Sequence, residues 1–128
     1  MPITSALRHF QSSEFKHPEL VANEAAVWLD DIREYADFAL VLTSDARTPE
    51  ENAAASGSSP TSLHLLGRAF DLKYPSTPEQ VWQFVGAVFI VSGSRAVELE
   101  LVHSAQDQHI HIGLYPDTRS SRLLVRAD

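Results

Sequence analysis

Two segments constrain this chain more than anything else in it. The first is Ser62-Leu63-His64-Leu65-Leu66-Gly67-Arg68-Ala69-Phe70-Asp71, of the form S-x-H-x-x-G-x-A-x-D; the second, further on, is His109-Ile110-His111. Neither is informative alone. In this order they suggest the two halves of one metal site, built from two histidines and one carboxylate, which the fold must bring together. His64 and Asp71 can meet at one ion only if the chain folds back between them, and Gly67 is placed for that turn. Side chains alternate along a strand. An extended segment over 108–114 therefore puts His109, His111 and Gly113 on one face and Ile110, Ile112 and Leu114 on the other. The apolar face packs inward on a helix. The histidine face looks into a cleft, where Gly113 leaves room. Zinc takes neutral imidazole nitrogen and carboxylate oxygen, and catalytic sites keep one position for water. Asp71 lies between Phe70 and Leu72, and a carboxylate in an apolar strand is usually paired, hydrogen-bonded or metal-bound.

Periodicity supplies the scaffold. Residues 1–17 read as a polar, irregular lead-in. Residues 18–35 read as an amphipathic helix, with Val21, Ala25, Trp28, Leu29 and Ile32 on one face. The apolar run 38–43 reads as a buried strand. Residues 44–61 read as a long loop, rich in Ser, Gly, Ala and Pro, with a short helix after Pro49; loops of this length are often functional. A strand follows over 67–74. Thr77 caps the next helix, Pro78 fits its first position and Gln80 completes a capping box; the helix stops at Ser92-Gly93. Residues 96–102 alternate, with Val97, Leu99 and Leu101 on one face and Glu98 and Glu100 on the other, most simply a solvated face. Strands over 108–114 and 121–126 close the chain. The order predicts an α+β domain over 1–128 with a largely antiparallel sheet at its C-terminal end.

Bulk composition sets the remaining bounds. A chain of 128 residues with 44% apolar content builds one domain with its own core. It has no cysteine, which excludes disulfides and thiolate metal sites. A net charge of −7 argues against nucleic acid or an anionic membrane as partner. No apolar run is long enough to span a bilayer. Met1-Pro2-Ile3-Thr4-Ser5 lacks the apolar core of a secretory signal. The chain is therefore expected to be made in the cytoplasm and to need another factor for release. His9, His17 and His103 show no partner pattern and read as surface or capping residues.

The S-x-H-x-x-G-x-A-x-D motif followed by a histidine strand resembles the zinc D-alanyl-D-alanine carboxypeptidase family. That family sits in a wider group with lysostaphin-type peptidases and hedgehog domains, and the segment from Ser62 to Asp71 also closely resembles the hedgehog version. Thr43-Ser44-Asp45-Ala46-Arg47-Thr48-Pro49-Glu50-Glu51-Asn52 is similar to the family's T-S-G-x-R-T-P-x-x-N segment, and Glu14-Phe15 to the lead-in of small phage and bacterial members. The resemblance covers residues 10 to 115. It implies a small, mostly antiparallel sheet with helices on one face and a zinc cleft on the other. It implies zinc on His64, Asp71 and His111, with His109 beside the metal, in reach of the zinc water or the developing oxyanion. Arg47 matches the arginine that contacts substrate and stabilises the tetrahedral intermediate; Arg47 and Ser62 are the substrate-binding residues it implies. The implied activity is that of an endolysin-like D,D-carboxypeptidase or endopeptidase, a monomer of phage or bacterial origin. Its substrates would be peptidoglycan stem peptides or cross-links, next to D-alanine.

The pattern departs from the family at the general base. Many members carry an acidic residue three positions before the last zinc histidine; here that position is Gln108. Hedgehog domains place a glutamate six positions before it; here that position is Ala105. Asp107 shares a strand face with both histidines, Glu100 is more distant, and His109 could itself shuttle a proton. The base stays open between His109 and Asp107. In members with an H-x-E or H-x-D pair the first histidine is the ligand, which would select His109. Members with His-x-His use the second, which favours His111. The absent acid supports an alternative, a non-catalytic zinc-stabilised binding or virion-structural module of the same fold.

Overall fold

The computed structural model describes residues 3–55 and 59–127. In chain order the elements are α1 (Asn23–Ala36), β1 (Leu42–Ser44), α2 (Pro49–Ala54), β2 (Ala69–Lys73), α3 (Pro78–Ser92), β3 (Val97–His103), β4 (Gln108–Leu114) and β5 (Arg122–Ala127). The strands form one sheet in the order β1-β2-β4-β3-β5. Every pairing is antiparallel except that of β5, which runs parallel to β3. The predicted α+β architecture holds. The parallel last strand was not visible in the alternation of its residues.

One face of the sheet carries the core. Phe70 and Leu72 from β2, and Ile110, Ile112 and Leu114 from β4, pack under Trp28, Leu29 and Ile32 of α1 and Phe84 and Val88 of α3. Truncating any of the larger of these to Ala costs about 2–5 kcal/mol. Trp28 is buried whole, and its Nε1–H donates to Ser92 Oγ at 3.0 Å, which ties the two helices together. The helices therefore lie on one side and the histidine face of β4 on the other, as the alternation required.

Three local expectations shift. Helix α1 starts at Asn23, because Ala22 gives its N–H to the carbonyl of Gly67 and Leu20 turns back on His17. The apolar run at 38–43 is only a strand from Leu42 on: burying Leu40 needs no ladder, and the register slips between Leu42 and Ser44. Thr77 Oγ1 does cap α3 by accepting from Gln80 N, but Gln80 Oε1 accepts from Ser76 N, one residue beyond the cap. The lead-in is also less idle than its polarity suggests, since Phe10 and Phe15 are buried and Phe15 meets the ring of Phe70 edge-on. Within the long loop, α2 forms after Pro49 as expected, opened by a capping box between Thr48 and Glu51. Loop residues 56–58 lie outside the described residues.

Candidate metal centre

Strand pairing sets the site. β2 and β4 lie side by side with Asp71 directly opposite His111. The second histidine comes from the 3-10 turn Leu63–Leu66, which Ser62 opens by accepting the His64 N–H on its Oγ at 3.2 Å. Gly67 closes that turn at φ +68°, and a Cβ there would lie 2.0 Å from the carbonyl oxygen of Leu20. Only glycine fits both the backbone angle and the contact. This is the fold-back that lets His64 reach Asp71.

His64 is buried, and its Nδ1–H donates to the carbonyl of Asp45 at 2.6 Å. A carbonyl only accepts, so the proton sits on Nδ1 and Nε2 carries the lone pair. That nitrogen faces Asp71 Oδ1 at 3.4 Å. His111 Nδ1 approaches the same oxygen at 3.1 Å. One ligand atom each from His64, Asp71 and His111 lies within 4.8 Å of the others. Two imidazole nitrogens thus converge on one carboxylate oxygen, and on the His64 side a lone pair points at it. A divalent cation resolves that opposition of acceptors, and the donor set of two nitrogens and one oxygen suits zinc. The residues fit the ion.

Electrostatics agree with the geometry. Burial works against ionised Asp71, yet the imidazoles of His111 and then His64 beside it hold its carboxyl well below the usual range. Burial also opposes a charged His111, but hydrogen bonds to Asp71 and then Glu98 outweigh it and raise the imidazole to about 9. Arg47 Nη2 lies 3.5 Å from Asp71 Oδ2, while its Nη1 donates to Asn52 Oδ1 and its backbone N–H to the His64 carbonyl. Arg47 is thus held at the rim by α2 and by the turn that carries His64.

The cleft around these groups has a volume of about 760 Å³. His109, Asp107, Ser62 and Glu100 all line it, as do Arg122, Leu124 and Arg126 of β5. The Nδ1 of His109 is 2.8 Å from Asp107 Oδ1, and the Asp107 carboxylate is largely exposed. Glu100 is bound to Arg126 at 2.9 Å. Every candidate drawn from the sequence therefore reaches one cleft. The residue that sequence reasoning missed is Glu98. It is not part of a solvated face: its Oε1 lies 2.9 Å from His111 Nε2, and its Oε2 accepts the Tyr115 O–H at 2.9 Å. The signal was present in the hairpin, where pairing His103 with Gln108 puts Glu100 opposite His111 and Glu98 opposite Gly113. The remaining histidines do find partners, away from the cleft. His9 meets Glu34, His17 meets Glu51, and His103 stacks on Tyr74.

A family model described as Peptidase M15 matches residues 3–113, from the lead-in to the penultimate residue of β4, and leaves out β5. Among curated proteins none matches the chain.

Proposed function

The chain belongs to the peptidase M15 family, and we propose that it is a zinc metallopeptidase that hydrolyses peptide bonds of peptidoglycan stem peptides or cross-links, next to D-alanine. The observation that carries this reading is the convergence of His64, Asp71 and His111 on one point, in a cleft edged by Arg47. Zinc, when bound there, supplies Lewis acidity, lowering the pKa of its water to about 7 and polarising the scissile carbonyl.

The chain's own groups supply the rest. Arg47 presents a cation at the cleft, where negative charge grows on the carbonyl oxygen as the bond is attacked. Asp107 accepts from His109 Nδ1–H, which leaves His109 Nε2 to take the proton of the attacking water and return it to the departing amine. In this reading His109 is the base, and Asp107 orients it. Ser62, whose hydroxyl caps the His64 turn, lines the cleft where the substrate would lie. β5 adds Arg122 and Arg126 on the opposite wall, where carboxylates of a peptidoglycan peptide can pair. A chain at −7 then meets an anionic cell wall through this cleft. A phage or bacterial endolysin-like role and a monomeric state belong to the same proposal.

A second reading, a non-catalytic zinc module of the same fold, is favoured by one observation: Gln108 stands where many relatives of the resembling family carry an acid. Defined muropeptides separate the two. The zinc-loaded protein is expected to release terminal D-alanine, as a carboxypeptidase, or to open cross-links, as an endopeptidase. If neither the native chain nor a Gln108→Glu variant cuts any of them while both bind zinc, the module reading takes its place.

A further inference from the structure

We propose that Glu98, backed by Tyr115, is a positioning residue that fixes the ring of His111 for the metal; this rests on the metal reading above. The cleft holds one ligand histidine whose tautomer is set by a backbone carbonyl, His64, and a second, His111, whose outer nitrogen meets Glu98. A carboxylate accepts and does not donate. In the metal-free fold both ring nitrogens face carboxylates, Nε2 at 2.9 Å from Glu98 Oε1 and Nδ1 at 3.1 Å from Asp71 Oδ1; a metal on the Asp71 side displaces the Nδ1 proton, and Glu98 keeps the other on Nε2. The two ligand histidines are thereby set in opposite senses: His64 offers Nε2 and His111 offers Nδ1. Outer partners of this kind hold ring orientation and raise ligand basicity.

Three features make the arrangement a built one. Both oxygens of Glu98 are committed, the second to the Tyr115 hydroxyl at 2.9 Å, with Arg122 Nη1 at 3.7 Å from it. The carboxylate is only 17% exposed, so holding its charge there needs those partners. The space it occupies exists because its cross-strand neighbour is Gly113. A Cβ at that position would lie 3.1 Å from Glu98 Oε1 and 2.7 Å from Leu63 Cδ1. The glycine in the histidine strand thus serves the reach of Glu98 over β4 to His111.

The test is zinc affinity, measured by competition with a chromophoric chelator, on the native chain and on Glu98→Gln, Glu98→Ala and Tyr115→Phe. Glu98→Ala is expected to weaken zinc about 10–100-fold. Glu98→Gln keeps an acceptor without the charge and should lose less, as should Tyr115→Phe. Nitrogen-15 spectra of the zinc-bound imidazoles add a readout that general loosening of the fold would not move. They should show His111 bound through Nδ1 with Nε2 protonated, and a mixture of ring states in Glu98→Ala. Zinc affinities of folded Glu98→Gln and Glu98→Ala equal to that of the native chain overturn the role of Glu98 alone. A native chain that binds no zinc overturns the metal reading and this proposal with it.

Discussion

Asp71 is the residue on which the site turns, since two imidazoles and a guanidinium all approach its carboxylate. Asp71→Ala is expected to lower zinc affinity by more than about 100-fold, beyond the range seen for outer partners. Equilibrium dialysis with metal analysis measures it; near-native affinity would remove Asp71 from the ligand set. His111 gives a second prediction. In the metal-free fold its imidazole is raised from 6.5 to about 9, so at pH 7 it is protonated. Zinc must displace that proton. Calorimetric titration in buffers of different ionisation enthalpy should show about one proton released per zinc at pH 7. The sign for stability follows from the same shift. The contribution of charged His111 to the metal-free fold is fully present below pH 6.5 and is lost as pH rises through about 9. Depressed Asp71, the other half of that pair, contributes above its usual pKa of 3.8 and loses its part as pH falls well below it. Metal-free melting temperatures should therefore fall at both ends. At this scale the meeting of His64, Asp71 and His111 was legible, because the two motifs and the family they resemble both point to it. Glu98 was not, because alternation assigns a side chain to a face without saying what else shares that face.

Elements carry the site through two tight devices. Gly67 ends the His64 turn in the left-handed region against the Leu20 carbonyl. Gly67→Ala is expected to destabilise the fold by more than about 2 kcal/mol, because the left-handed conformation alone costs an L-residue 1–2 kcal/mol. Urea unfolding measures it, and a loss below about 0.5 kcal/mol would contradict the close packing of that turn. Helix α2 holds Arg47 beside the cleft and is opened by Thr48 and Glu51. Thr48→Ala should cost about 1 kcal/mol. Backbone hydrogen bonding from Thr48, then the side chain of His17, lowers the Glu51 carboxyl to about 2, so its part in the cap is present above pH 4.5 and fades as pH falls toward that value. The helices, the β3–β4 hairpin and the α2 start were legible because caps and periodicity are local. The start of α1, the short β1 and the direction of β5 were not, because each is decided by a distant partner: Gly67, β2 and β3 respectively.

The whole molecule is a one-sided sandwich in which core and cleft share a single sheet, so the metal should stabilise everything. Zinc held at 100 times its dissociation constant adds about 2.7 kcal/mol to the folded state. Melting with and without a chelator should show a rise of several degrees, which Asp71→Ala abolishes. No helix among the described residues is long and apolar enough to cross a membrane. β5 lies beyond the matched residues and lines one wall of the cleft. The measurement that tests the central claim most directly is digestion of purified peptidoglycan by the zinc-loaded protein, with products read by mass spectrometry beside a chelated sample and Asp71→Ala. Defined peptide fragments, absent from both controls, are the predicted result. No fragments from a protein carrying one zinc per chain, or the same fragments from Asp71→Ala, would contradict it.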